Sequence, residues 1–214
     1  MASNSILSGI KNIIFDLGGV LLEIDHARVE KTFEKLGLKN FREIYSHAKQ
    51  QRLFDDFEMG KITSAAFRAN VKQYFAYKVT NEQLDSAWNS ILVGMPKSSL
   101  ELLQSLKGKY RLFVLSNTNE IHLKHYAKLL QRDHGVNDLA HLVEKEYYSS
   151  KLGKRKPDSG IFNVIVEENR LVASETLFVD DTREHIDGAE KAGLRGFWVE
   201  KMGMVGELSF NMTN

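Results

Sequence analysis

Three short apolar runs in this chain each end in polar residues, and that pattern restricts the fold more than any other feature. Asn12-Ile13-Ile14-Phe15 opens into Asp16 and the turn Leu17-Gly18-Gly19-Val20-Leu21. Arg111–Leu115 opens into Ser116-Asn117-Thr118-Asn119, and Thr176–Val179 opens into Asp180-Asp181-Thr182. Runs this short, rich in β-branched and aromatic residues, read as strands rather than buried helices. Gly196–Val199 reads as a fourth. Amphipathic stretches separate the runs, which predicts an α/β fold: a Rossmann-like parallel sheet flanked by helices. Open parallel sheets bind ligands at the carboxyl ends of their strands. Residues far apart in sequence would therefore share one rim.

The interval 25–91 holds no convincing strand and reads as helix throughout. Asp25 is placed to cap a segment whose Val29, Phe33 and Leu36 share a face. Thr63 precedes Phe67, Val71, Tyr74 and Phe75, and Thr80 with Gln83 forms a capping box ahead of Leu84, Ala87, Trp88 and Ile91. A parallel crossover needs only about a dozen residues, so this interval is expected to be an inserted all-helical cap. The predicted division is a catalytic core over 1–24 and 92–214 with a cap over 25–91. Re-entry falls near Gly94-Met95-Pro96-Lys97, after which Ser98 and Glu101 are expected to start a core helix that stops at Gly108. Residues around Phe54 and Phe57 are expected to line the inner face of the cap. No internal repeat, low-complexity tract or proline-rich linker interrupts the pattern.

Composition narrows the function classes. The 214 residues are 43% hydrophobic and 27% charged with a net charge of +1, so no whole-chain field favours nucleic acid or a membrane surface. Any anion binding must be local. With no cysteine, disulfides and thiolate metal sites are excluded, leaving oxygen and histidine ligands. The amino-terminal residues lack the pattern of a signal peptide, and no apolar stretch approaches about 18 residues. A cytoplasmic location is expected.

Each polar strand end has a plain structural alternative. Ser116 and Asn117 can simply cap the next helix. Lys156, in Gly153-Lys154-Arg155-Lys156-Pro157-Asp158, can be a solvated lysine ahead of a proline suited to a helix first turn. Asp180-Asp181 resists such a reading, because adjacent carboxylates repel and invite a cation or a lysine. The four segments together resemble the haloacid dehalogenase-like hydrolases. Ile14–Leu21 resembles their nucleophile loop, Val114–Asn117 the second motif and Lys156-Pro157-Asp158 the third. Phe178–Asp181 with Gly188-Ala189 and Ala192-Gly193 resembles the fourth. The likeness spans about residues 10 to 200 and is nearest to a branch of sugar-phosphate phosphatases with Asp-Leu-Gly in the nucleophile loop, the α-glucose-1-phosphate phosphatase-like branch.

The resemblance implies a Mg²⁺-dependent phosphatase. Asp16 would attack phosphorus and form an aspartyl-phosphate. Mg²⁺ would be held by Asp16, the Gly18 carbonyl and Asp181, with Asp180 as a direct or outlying partner. Ser116 and the Asn117 amide would hold phosphoryl oxygens, and Lys156 would offset the shared negative charge. Many such phosphatases carry a second Asp two residues after the nucleophile, and Gly18 cannot do its acid–base work. Either the leaving group hardly needs a proton, as with a sugar 1-phosphate such as glucose 1-phosphate, or Asp25, His26 or Glu58 stands in. The expected substrate is a small phosphorylated metabolite, with no nucleic-acid or membrane partner, and the protein is a monomer or homodimer.

Two alternatives stay open at this level. One is a catalytically weakened protein that binds phosphometabolites or a partner, suggested by Gly18. The other is a metal-free 2-haloacid dehalogenase, which would have no use for Asp180-Asp181 as a cation site. His122, His125 and His185 are assigned to surface or helix packing. Residues 120 to 150 are expected to contain a long connection, and the tail after Lys201 to be irregular.

Overall fold

The computed structural model describes residues 6–200 of the chain; the expected irregular tail lies outside them. Five strands form one parallel sheet: β1 (Asn12–Phe15), β4 (Arg111–Ser116), β5 (Lys145–Tyr148), β6 (Thr176–Asp180) and β7 (Arg195–Trp198), in the order β5-β4-β1-β6-β7. The first strand sits in the middle, the chain builds outwards through β4 and β5, and it then returns to the other side of β1. That reversal opens a crevice at the carboxyl ends of the central strands. Alternation of side chains across the sheet makes two cores. Ile13, Phe15, Val114 and Val179 pack on one face with Leu103, Leu106 and Leu130. Ile14, Phe113, Leu115 and Phe178 pack on the other with Phe162, Ile165 and Ile186.

The helices facing the sheet are α6 (Lys97–Leu106), α7 (Glu120–His134), α9 (Ser159–Glu168) and α10 (Arg183–Lys191), with the short α8 (Ser149–Leu152) following β5. The stretch 120–150 holds the fifteen-residue α7, the expected long connection over 135–144 and the edge strand β5. Its strand Lys145-Glu146-Tyr147-Tyr148 escaped notice because an edge strand exposes polar residues that break the apolar run. The helix after re-entry starts at Lys97 with Pro96 at its cap and no side-chain cap bond, so Ser98 and Glu101 form no capping box. Pro157 does not open the next helix either; Asp158 caps it, accepting from the Gly160 amide at 2.8 Å.

Between the short strands β2 (Glu23–Ile24) and β3 (Leu92–Gly94) lie five helices: α1 (His26–Lys35), α2 (Phe41–Gln50), α3 (Leu53–Glu58), α4 (Ser64–Lys72) and α5 (Asn81–Asn89). β2 and β3 pair antiparallel, and the Asp25 amide donates to the Ile91 carbonyl at 2.8 Å. The chain therefore leaves and re-enters the sheet unit through one two-stranded neck. Asp25, Thr63 and Thr80 all cap their helices, and Thr80 with Gln83 makes both bonds of the capping box. The helices enclose a third core of Val29, Phe33, Phe57, Phe67, Val71 and Leu84. Phe67 is central: it stacks on Phe57 with centroids 4.2 Å apart and tilts against Trp88 at 5.2 Å.

Truncating Phe67 to alanine removes the ring around which this core is built and should destabilise the protein by about 3–5 kcal/mol. Thr80→Ala should cost about 1 kcal/mol. Chemical denaturation followed by circular dichroism measures both, and equal losses would contradict the assignment of Phe67 to the core centre.

Candidate active site

Strand register alone brings two carboxylates together. Phe15 pairs with Val179, so the next residues, Asp16 and Asp180, lie side by side where the strands end. The Asp16 amide extends the ladder by donating to Val179 O at 2.8 Å. On the other side Phe15 pairs with Val114, which carries Ser116 to the same rim. Lys156 arrives from the loop between α8 and α9 and is completely buried. Its Nζ donates to Asp16 Oδ1 at 2.7 Å, Asp180 Oδ2 at 2.6 Å and Leu115 O at 3.2 Å. An ammonium has three protons, and each has an acceptor. The ammonium also lies over the Phe178 ring, 5.4 Å from its centroid.

Asn117 fixes the lysine loop. Its Nδ2 donates to Lys156 O at 3.0 Å, and its Oδ1 accepts from Lys156 N at 2.9 Å. The side chain of this predicted site residue is thus engaged in holding Lys156 in register. Ser116 is buried beside it and faces the same cavity.

The electrostatics follow from burial set against this pairing. Burial pushes the Asp16 carboxyl up to about 7, with the Asp180 charge adding to it and Lys156 opposing it. Burial also works against charge on Lys156, but Asp16 and Asp180 outweigh it and raise its pKa, so the lysine stays protonated. Burial raises Asp180 less than Lys156 and His185 lower it, and its carboxyl sits below the ordinary range. Asp181 is raised by burial and by the neighbouring Asp180 charge.

Oxygens of Asp16, Asp180 and Asp181 all lie within 4.8 Å of one another. An octahedral Mg²⁺ with bonds of about 2.1 Å separates its ligand oxygens by on the order of 3–4 Å, so a small hard cation fits this group with little movement. The turn between them is shaped to it. Gly19 has a φ of +83°, and a Cβ there would collide with Asp181 Oδ2. Gly18 is different: its φ is unexceptional and a Cβ would meet only the Ile24 side chain, at 3.4 Å.

A cavity of about 280 Å³ covers these groups, lined by Asp16, Gly18, Ser116, Asn117, Lys156 and Asp181 from the sheet side. Glu58, His26 and Ile91 line it from the helical side. Phe54 and Phe57 do not; they pack in the helical core, contrary to expectation. Asp25 spends its carboxylate on the Ala27 and Arg28 amides. Sequence reasoning missed three residues. His185 Nδ1 contacts both Asp180 oxygens, at 3.0 and 3.1 Å, and its position five residues after Asp180, in the first turn of the next helix, was the available signal. His122 lines the cavity with its ring stacked on Trp88 and Nδ1 2.9 Å from Asn89 Oδ1. Burial pushes its pKa down to about 3, so it is a neutral imidazole. Arg155 was passed over as part of a basic run; it pairs with Asp55 and Glu58 at 2.9 Å each.

A parallel sheet in this order, with carboxylates and a buried lysine gathered at its rim, defines a class of hydrolases. The haloacid dehalogenase-like hydrolase model matches residues 10–193, and the chain belongs to that family. It is 30% identical over 191 residues to D-ribitol-5-phosphate phosphatase of Bacteroides thetaiotaomicron, covering 89% of this chain and 92% of that protein. Among solved structures it is similar to HAD family enzyme bt-2542 from Bacteroides thetaiotaomicron, with a TM-score of 0.87 and 33% identity over 94% of this chain and 98% of that one. The wild-type form of that enzyme in complex with magnesium and inorganic phosphate matches with a TM-score of 0.82 and 35% identity, covering 91% and 96%.

Replacing Lys156 with methionine leaves Asp16 and Asp180 facing each other without a counter-charge. Metal-free Lys156→Met should lose roughly 3–5 kcal/mol of stability, read by urea denaturation, and should recover part of it when MgCl₂ is added. A loss under about 1 kcal/mol would mean that the lysine does not hold the rim together.

Proposed function

We propose that this protein is a Mg²⁺-dependent phosphatase of small phosphomonoesters, chiefly sugar or sugar-alcohol phosphates, working through an aspartyl-phosphate on Asp16. The observation that carries this is the buried Lys156 ammonium bridging Asp16 and Asp180 at 2.7 and 2.6 Å at the floor of the cavity. Family membership and the magnesium and phosphate bound by a similar enzyme support it.

In this scheme Asp16 Oδ attacks phosphorus in line while the ester oxygen leaves, and water then hydrolyses the acyl phosphate. Lys156 keeps Asp16 oriented and neutralises charge that two anions would otherwise share. The Ser116 hydroxyl and the Asn117 backbone amide hold phosphoryl oxygens. Asp16, Asp181, the Gly18 carbonyl and Asp180 would hold Mg²⁺, with Lys156 and His185 already claiming part of Asp180. Bound there, Mg²⁺ cancels repulsion between nucleophile and phosphate. The helical segment 25–91 acts as a cap over a catalytic core of 1–24 and 92–214, walling off water and reading the leaving group. A cavity of about 280 Å³ is near the lower limit of ligand pockets, roughly 300 Å³, which suits a monosaccharide-sized substrate.

Gly18 leaves proton supply to the leaving group unassigned at its usual place. A glucose 1-phosphate substrate needs little such help, because an anomeric oxygen is a better leaving group than an alkoxide. The relative named for D-ribitol 5-phosphate supports an open-chain alcohol instead. Rates on both compounds decide between them. We further propose a cytoplasmic enzyme that acts as a monomer or homodimer.

Turnover of p-nitrophenyl phosphate should require added Mg²⁺ and should fall roughly 10³-fold or more in Asp16→Asn. Gly19→Ala, which pushes Asp181 aside, should weaken Mg²⁺ binding roughly 10-fold or more by calorimetry. Metal-independent turnover that survives Asp16→Asn would refute the scheme.

A further inference from the structure

Glu58 belongs to the helical segment, yet both its backbone and its side chain are fastened to the sheet unit. Its carbonyl accepts from Ser149 Oγ at 2.6 Å, and Ser149 Oγ in turn accepts from the Thr118 amide at 2.9 Å. The next turn, at Gly60, lies so close to the Ser150 carbonyl that a Cβ would collide with it. Arg155, the neighbour of Lys156, completes the attachment. Its Nη1 pairs with Asp55 Oδ1 at 2.9 Å, while Nε and Nη2 both donate to Glu58 Oε2, at 3.2 and 2.9 Å. The whole fork is occupied by the helical segment.

This leaves one atom over. Both Arg155 bonds fall on Glu58 Oε2, so Oε1 has no partner among the described residues, and Glu58 lines the cavity that holds Asp16 and Lys156. A carboxylate oxygen with its partner oxygen clamped is a fixed hydrogen-bond acceptor. We propose that Glu58, positioned by Arg155, is a specificity-determining residue that accepts a hydrogen bond from a hydroxyl of the leaving group, selecting polyhydroxylated phosphate esters over esters whose leaving group has no further hydroxyl. This rests on the phosphatase function proposed above and names what distinguishes its substrates. Burial raises the Glu58 carboxyl against the opposing pull of Arg155, so substitution separates an acceptor from an acid: an amide can stand in for the acceptor but not for the acid.

A fixed acceptor on a half-buried side chain binds an ester that offers it a hydroxyl better than one that does not, by the worth of that one charge-assisted bond. The test compares Glu58→Gln and Glu58→Leu with the native protein, all with Mg²⁺. Substrates are p-nitrophenyl phosphate and whichever member of a sugar- and alditol-phosphate panel the native protein turns over best. For Glu58→Leu, kcat/KM on the hydroxylated ester should fall about 10–100-fold further than on p-nitrophenyl phosphate, with most of the loss in KM. Glu58→Gln keeps a carbonyl and an amide on the same stem and should restore much of the discrimination, whereas an acid would be lost equally in both variants.

Equal losses on the two substrates, or no loss on either, would overturn the proposal while leaving the phosphatase function standing. So would a native protein that prefers p-nitrophenyl phosphate to every panel member. Absence of any Asp16-dependent turnover would overturn both. Thermal melts of the variants check the alternative of a structural role: an altered melt with unaltered substrate preference counts against the proposal.

Discussion

An ammonium group with no exposed surface is tolerable only when every proton meets an acceptor and a negative charge lies close by. Lys156 meets that requirement with Asp16, Asp180 and the Leu115 carbonyl, one from the end of each of the three central strands. Pairing at the end of the sheet thereby joins β1, β4 and β6 through a single side chain from a fourth segment. Asn117 pins the backbone of that segment from the other side. Removing the ammonium would leave two carboxylates facing each other unopposed and the Leu115 carbonyl without its donor, so the rim's geometry and its electrostatics have one common support.

One lysine does not balance three carboxylates. Asp181 adds a third charge, and His185 contributes to Asp180 through Nδ1 alone. The excess is negative, in a cavity whose proposed ligand is also negative, and burial together with the Asp180 charge raises both Asp16 and Asp181. A divalent cation resolves the conflict that the protein leaves unresolved. The same balance explains why Asp180 is the most withdrawn of the three: its oxygens already serve Lys156, His185 and the Thr182 amide.

The sheet was legible in the sequence wherever a strand is buried on both faces. β1, β4 and β6 show as continuous apolar runs because water touches neither side. The edge strand β5 mixes Lys145 and Glu146 with two tyrosines and has no such signature. Within the site, Asp16 and Asp180-Asp181 stood out because a carboxylate beyond a buried strand has no packing purpose. Arg155 did not, since its meaning depends on Asp55 and Glu58, about a hundred residues earlier, and no spacing rule links them. His185 was hidden for a similar reason: one histidine on an amphipathic helix looks like surface until the fold turns it toward Asp180. Capping residues were readable where the helix start is local, as at Thr80, and failed at Ser98, where proline set the start instead.

Ser149 is wholly buried, and its hydroxyl has one proton but two carbonyls within reach: Glu58 O at 2.6 Å and Thr118 O at 3.1 Å. The first belongs to the helical unit and the second to the loop after β4. If the units part, the proton can rotate from one carbonyl to the other, and no buried donor is stranded in the process. The contact between the two units is therefore tight while made, and at this hydroxyl its loss costs one hydrogen bond without the further penalty of an unpaired buried donor.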